Sequence, residues 1–320
     1  MTTPLEMSKE IIEAASCDEV VRAKCLGMMA GYDERYSGPY PNEYSTVSTE
    51  EVFQLPIVNP ETGQQSRTFR QAGKYDGVIE RDGKMYLLEH KTTSDDLDFS
   101  SSYWRRLTID SQISSYFLAH WQKGEKLDGT IYDVIRRPGI RPKLVPKGSE
   151  RKQRDHIKLH PDNVGTIIEM RINQTYFGYP CGRGTILDDG RETPELYGMR
   201  LAHETTTNGD KYFARREVPR LDSEIIEYAE ELWSVSQDIM SARRHERWYR
   251  NSGACVQYGT PCEFLDVCSG HDTLDSDRWK PKAKVHPELN GSMDDDVLTN
   301  SSIRTFQTCR RKFRYRYELA

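Results

Sequence analysis

Apolar positions recur at helical spacing between residues 4 and 30, where Ile11, Ile12, Ala15, Val20, Val21, Cys25, Leu26 and Met29 form one stripe, so this stretch is predicted to be a helix. Residues 31 to 44, GYDERYSGPYPNEY, are rich in Gly, Pro and Tyr and read as a loop. Residues 46–57 and 66–72 read as extended segments leading into two runs, Tyr75 to Glu80 and Met85 to His90, separated by Asp82-Gly83. That dipeptide is the strongest two-residue hairpin signal, and it predicts a sheet of at least three strands. Residues 104–123 read as a helix with Gln112 and Tyr116 at i and i+4 on one face. Residues 129–135 follow as a strand with the alternation of a buried edge. The strand–helix–strand order favours a mixed α/β sheet. Further on, 164–177 and 211–218 read as strands and 183–202 as containing a helix. Residues 224–247 carry a broad apolar stripe through Ile225, Ile226, Ala229, Leu232, Trp233, Val235 and Ile239, with Asp222 as the expected cap.

The hairpin turn sets a register. Arg81 should face Lys84, Val78 should face Leu87, and Asp76 should lie opposite Glu89, with Lys91 on the face of Glu89 by alternation. Like charges on directly opposed positions are destabilising unless something positive lies between them. A divalent cation is the natural candidate. Two carboxylates holding Mg²⁺ or Mn²⁺ beside a lysine make a site suited to phosphodiester hydrolysis. Three charged residues in a hairpin are also common as ordinary surface charges, so the downstream motifs decide how much weight this group carries.

Composition narrows the class. The 320 residues are 30% charged, with a formal net charge of -5 and a mean hydropathy of -0.78. No apolar run approaches membrane-spanning length, and MTTPLEMSKEIIEAA lacks the basic-then-apolar pattern of a signal peptide, so a cytoplasmic protein without a membrane partner is expected. A net negative chain binds nucleic acid only through a local patch. Residues 136–158 are one candidate, with nine Lys or Arg against Glu150 and Asp155. This stretch reads either as a solvated insertion or as a phosphate-contacting arm.

The seven cysteines are expected as reduced thiols or metal ligands rather than a disulfide framework. Cys255, Cys262 and Cys268 cluster in NSGACVQYGTPCEFLDVC, a spacing unlike zinc knuckles or ferredoxin runs. A fourth soft ligand would come from Cys309, Cys17, Cys25 or Cys181.

Asp76 in GKYDG, then Glu-x-Lys at Glu89 and Lys91, then Gln-x-x-x-Tyr at Gln112 and Tyr116, resembles the core of the RecB-type PD-(D/E)XK nucleases. The cysteine triplet is similar to that of their iron–sulfur branch, which includes CRISPR-associated iron–sulfur nucleases and phage exonucleases. In that branch one cysteine near the start of the nuclease and three near its end hold a [4Fe–4S] cluster. SSIRTFQTCRRKFRYRYELA, residues 301–320, resembles the opening segment, which makes Cys309 the implied fourth ligand. Here that segment stands last, after Asn290-Gly291-Ser292-Met293, as in a circularly permuted chain. The resemblance covers roughly 45–135, 222–270 and 298–320.

The resemblance implies a restriction-endonuclease-like α/β fold: a mixed central sheet flanked by helices, with a C-terminal helical cysteine-cluster region. Residues 1–220 would be the nuclease core and 221–320 the iron–sulfur region. It further implies a Mg²⁺- or Mn²⁺-dependent deoxyribonuclease, an exonuclease of DNA recombination and repair, acting on single-stranded DNA or on a free end. Asp76 and Glu89 would hold the metal and Lys91 would serve the attacking water. Gln112 and Tyr116 would position the strand, and the [4Fe–4S] cluster would be structural, with Zn²⁺ as the alternative occupant of the four cysteines. The family's usual Gly-x-x-x-His is absent, since none of the eight histidines has a glycine four residues before it. That departure favours the rival reading, a catalytically weak or inactive nuclease-fold protein that binds DNA as a recombination accessory.

Overall fold

The computed structural model describes residues 4–37, 44–142, 156–159, 167–172, 175–178, 193–280, 286, 289 and 296–319. Between 156 and 178 only the backbone is described. Most of the basic run 136–158, Cys181 and the segment Asn290 to Met293 lie outside the described residues.

The helices α1 (Pro4–Ala14) and α2 (Glu19–Tyr36) replace the single expected helix. The Asp18 carboxylate accepts from the backbone N–H groups of Val20 and Val21 at 2.9 and 3.2 Å, which starts a new helix inside an unbroken apolar stripe. The strands β1 (Ser45–Val58), β2 (Gln65–Arg81) and β3 (Lys84–Thr93) follow. The expected helix over 104–123 is likewise two, α3 (Ser102–Leu107) and α4 (Ser111–Gln122). Between them the buried Arg220 guanidinium gathers the carbonyls of Leu107, Thr108 and Asp110, which a continuous helix would have used internally. Next come β4 (Gly129–Arg136), β5 (His156–Leu159), β6 (Ile167–Ile172), β7 (Thr175–Gly178), α5 (Pro194–Thr207), α6 (Gly209–Tyr212), β8 (Phe213–Val218) and α7 (Asp222–His245). Asp222 is the first residue of α7 rather than its cap. The cap position is Leu221, whose N–H donates to the Glu224 carboxylate at 2.7 Å. The chain ends with β9 (Val256–Gln257), β10 (Thr260–Pro261), α8 (Leu265–Ser269), β11 (Val297–Leu298), α9 (Asn300–Thr308), α10 (Arg310–Phe313) and a π-helical turn over Arg314–Glu318.

The fold is mixed α/β, with a central, mostly antiparallel sheet flanked by helices. Strand order in the sheet is β1-β2-β3-β4-β8, and β11 pairs in parallel with β2 at Arg70 and Gln71. The strand β4, expected at an edge, is instead interior. It lies between β3 and β8 and is buried from Gly129 through Val134, because the segment 213–218 covers its free side. β5, β6 and β7 form a separate antiparallel sheet.

By contact the chain divides into two units. The first comprises Met1–Glu43, Lys91–Tyr103 and Asp133–Arg215. Its core packs α2 on α5 through Ala23, Met28, Tyr197, Leu201, Tyr212 and Phe213. The helices approach closely at Gly31, where a Cβ would stand 2.3 Å from Thr205 Oγ1. Buried Asp133 accepts from Tyr32 Oη and, at 2.9 Å, from Arg215 Nε, which keeps a carboxylate tolerable in the interior.

The second unit comprises Tyr44–His90, Trp104–Tyr132 and Arg216–Ala320. Here α4 and α7 pack on each other and on β1. Phe53, Ile57, Phe69, Tyr75, Val78, Ile79 and Leu87 are buried on the strands. Arg243 of α7 holds the last segment of the chain, donating to Glu318 at 2.9–3.0 Å and to Asp296 at 2.6 Å. Asp296 immediately precedes β11, so this ion-pair network places the parallel strand and the helix that follows it.

Candidate functional site

The turn between β2 and β3 has Asp82 and Gly83 at φ 55 and 75, the left-handed pair that a two-residue hairpin requires. The observed register pairs Arg81 with Lys84, Val78 with Leu87 and Gly77 with Leu88. The ladder ends there; continued by one residue, its register would set Asp76 against Glu89. Asp76 Oδ2 accepts from the backbone N–H of His90 at 2.8 Å, which fixes its carboxylate against β3. Glu89 is 3% exposed. Two carboxylates at this end of the hairpin, one of them buried, make a group that nearby positive charge stabilises. Lys91 stands two residues beyond Glu89 on β3, on the same face by alternation.

Asp110 caps α4 by accepting from the Gln112 N–H at 3.0 Å. Gln112 Nε2 donates to Tyr116 Oη at 2.8 Å, and Tyr116 Oη donates to the Lys74 carbonyl at 2.7 Å. The Tyr116 phenol is raised well above its ordinary pKa. Burial is the main cause, the Gln112 hydrogen bond opposes it, and the charges of Glu89, Asp76 and Asp110 add to it. Tyr116 is therefore a neutral donor close to both acids. Its ring meets Phe53 and Tyr75 edge-on at 5.9 and 6.1 Å and is 5% exposed, so it braces the floor of the site and offers no face for stacking a base.

Asp76, Gln112 and Tyr116 line a cavity of about 340 Å³ whose wall also holds Glu50, Lys74 and Asn300. Sequence reasoning passed over Glu50 and Lys74. Lys74 was readable, since it is two residues before Asp76 on β2 and alternation places it on the same face. Glu50 pairs with the Lys74 ammonium and has φ 55, in the left-handed region. Its neighbours Thr49 and Glu51 pair with Gly77 and Tyr75, which brings Glu50 opposite Asp76.

The cysteine region is built differently. β9 and β10 form a hairpin turning at Tyr258 and Gly259, with φ 52 and 76, and the Cys262 N–H donates to the Cys255 carbonyl at 2.7 Å. Cys268 lies on α8, and Cys309 lies between α9 and α10, where its sulfur accepts from the Asn251 N–H at 3.4 Å. All four are half-buried free thiols. The Cys268 thiol is raised in pKa by burial and further by Cys309 and Cys262, while Arg311 opposes. Cys262, Cys268 and Cys309 are thus electrostatic neighbours. Cys17 and Cys25 are exposed residues of the first unit. The four thiols suit a soft metal or an iron–sulfur cluster chemically, but among the described residues no three His, Cys, Asp or Glu side chains stand in an arrangement that could hold a metal ion. Among the described residues, too, no helix is long and apolar enough to cross a membrane.

No protein-family model matches the chain, and no curated relative does. Among solved structures the chain is similar to the crystal structure of SSO0001, at 14% identity over 69% of this chain and 88% of that one, with a TM-score of 0.21. At that score the likeness carries no argument about fold or activity.

Proposed function

We propose that the chain is a divalent-metal-dependent DNA nuclease with a restriction-endonuclease-like core. What supports this reading is a hairpin register that, continued one residue past Gly77 and Leu88, would set Asp76 against Glu89, with the neutral Tyr116 phenol close to both acids and a cavity of about 340 Å³ lined by Asp76 and Tyr116. Asp76 and Glu89 would hold Mg²⁺ or Mn²⁺, whose contribution when bound is Lewis-acid stabilisation of the negative charge developing on the phosphodiester. The His90 N–H orients the Asp76 carboxylate. Lys91 would orient the attacking water and offset phosphate charge through its ammonium or, as a neutral amine, take the water's proton instead. Gln112 and Tyr116 act by holding the backbone at Lys74, and thereby the strand that carries Asp76. Cys255, Cys262, Cys268 and Cys309 would hold a structural iron–sulfur cluster or Zn²⁺ and take no part in hydrolysis.

The test is cleavage of end-labelled single- and double-stranded DNA by anaerobically purified protein, with Mn²⁺ and with EDTA, alongside Lys91→Ala. Metal-dependent cutting that the variant loses supports the reading; cutting that survives in EDTA or in Lys91→Ala refutes it. A second reading, a DNA-binding accessory with an incomplete site, is favoured by the absent Gly-x-x-x-His and by the finding that, among the described residues, no three His, Cys, Asp or Glu side chains are arranged to hold a metal ion. Calorimetric titration with Mn²⁺ separates the two, because only the nuclease reading expects a site that Glu89→Ala removes.

A further inference from the structure

The nuclease reading assigns Lys91 to the attacking water and to the charge of the scissile phosphate, and gives no residue to the rest of the strand's backbone. The cavity contains one. Lys74 and Asp76 alternate along β2 and line the same wall. The backbone at Lys74 is fixed by the 2.7 Å hydrogen bond from Tyr116 Oη, so the ammonium starts from a held position. It is paired with Glu50, whose side chain is 60% exposed. An exposed carboxylate–ammonium pair is weak and exchanges readily for another anion. On the cavity wall, Asn300 opens α9, and its Oδ1 accepts from Ser111 Oγ at 2.9 Å. The amide nitrogen of Asn300 is then the group that remains to donate.

We propose that Lys74, assisted by Asn300, is the phosphate-binding subsite of this cavity, and that Glu50 is its internal stand-in: the carboxylate occupies the ammonium in the free protein and an incoming nucleic-acid phosphate displaces it. A lysine ammonium is a compact charge suited to a phosphate oxygen, and a carboxylate is the anion within the chain that most resembles one. The assignment of the ligand as a phosphodiester rests on the nuclease reading; the exchange of one anion for another at Lys74 does not.

The experiment measures binding and turnover separately in the full chain. Fluorescence anisotropy with a labelled single-stranded oligonucleotide, in Ca²⁺ without Mg²⁺ or Mn²⁺, gives Kd as a function of salt, and cleavage in Mn²⁺ gives KM and kcat. Lys74→Gln is expected to raise Kd and KM about tenfold, to leave kcat within about twofold, and to reduce the salt slope by about 0.7, the loss of one single-strand phosphate contact. Lys74→Arg should restore binding. Glu50→Gln should move the other way and lower Kd by about threefold or more, because the competing anion is gone. A merely structural ion pair would weaken binding in both variants alike, and that result overturns the proposal, as does wild-type binding by Lys74→Gln or no oligonucleotide binding by the wild type. Loss of Mn²⁺ affinity in Glu50→Gln would make Glu50 a metal ligand and overturn its role as stand-in. Oligonucleotide binding that Lys74→Gln loses, in a protein that cuts no DNA, would leave the subsite standing and remove the nuclease reading. Cleavage with an unchanged KM in Lys74→Gln would do the reverse.

Discussion

The two chemistry-bearing regions of this chain are assembled by different means. Asp76 and Glu89 each stand one residue beyond a backbone ladder that runs from a two-residue turn to Gly77 and Leu88, so their placement follows from hydrogen bonds that form whether or not anything binds. Cys255, Cys262, Cys268 and Cys309 come from a two-strand hairpin, one turn of helix and a distant break between helices. The backbone gives these thiols few shared constraints, and burial together with mutual proximity already disfavours the Cys268 thiolate. The first group is a preorganised pair resting on a finished scaffold. The second, on the proposed reading, would be a set of ligands whose convergence depends on what they hold.

The sharpest way to break that comparison is to remove one residue from each group. Asp76→Ala should abolish metal-dependent cleavage, by about 10³-fold or more, since a metal carboxylate carries several kcal/mol of transition-state stabilisation. Its Tm should stay close to wild type, because a half-exposed side chain is removed and the ladder is kept. Cys268→Ser should lose bound iron or zinc by elemental analysis and lower Tm by several degrees, and cleavage should fall only as far as folding does. An Asp76→Ala protein that still cuts at the wild-type rate would remove the nuclease assignment. A Cys268→Ser protein with unchanged metal content and Tm would show that the thiols are placed by packing alone.

The same contrast explains which features could be read from the sequence. The hairpin register was legible as far as Gly77 and Leu88 because the Asp82-Gly83 turn is local and side chains alternate with period two. Lys74 obeys the same alternation. Glu50 does not, since the β1–β2 register shifts between Thr46 and Ser48 and again between Pro56 and Val58, and a one-residue shift reverses every side chain before the next. The breaks between α1 and α2 and between α3 and α4 were hidden for a related reason. Asp18 caps from within an apolar stripe, and Arg220, more than a hundred residues away, takes the carbonyls at the second break. The two-part arrangement of the last segment, a parallel strand on β2 followed by a helix at the cavity, rests on Arg243 holding Asp296 and Glu318, a contact that no local pattern announces.

A smaller effect tests whether the floor of the hairpin site is as firmly held as its register. Tyr116→Phe deletes, at a position that is 5% exposed, the donor to the Lys74 carbonyl and the hydroxyl to which the Gln112 amide donates. The expected cost is about 1–2 kcal/mol of stability by urea denaturation, with an unchanged m value and a modest rise in KM. A Phe variant with lost kcat and wild-type KM would mean that the phenol touches the reacting atoms, which its burial and raised pKa argue against.

The smallest expected effect comes from the same helix. His120 is buried at the end of α4, with its Nδ1 2.7 Å from Glu125 Oε2 and its ring 5.0 Å from that of Tyr75. Burial lowers its pKa, Glu125 and Glu51 oppose that shift, and Lys123 adds to it. A histidine whose folded pKa lies below its unfolded value, about 6.5, binds more protons in the unfolded chain. Its contribution to stability is therefore complete above that value and is lost as pH falls through it toward the folded pKa. Thermal denaturation between pH 7.5 and pH 5 should show Tm falling with pH, and His120→Gln should flatten that slope while lowering Tm at pH 7.5. A slope that is the same in both proteins would assign the acid sensitivity to groups other than His120. The position matters because His120 and Tyr75 pack behind the strand that carries Asp76. Protonation that loosens this contact would reach the hairpin site through β2 and leave the cysteine region unaffected, so metal content should hold constant across the same pH range while KM rises.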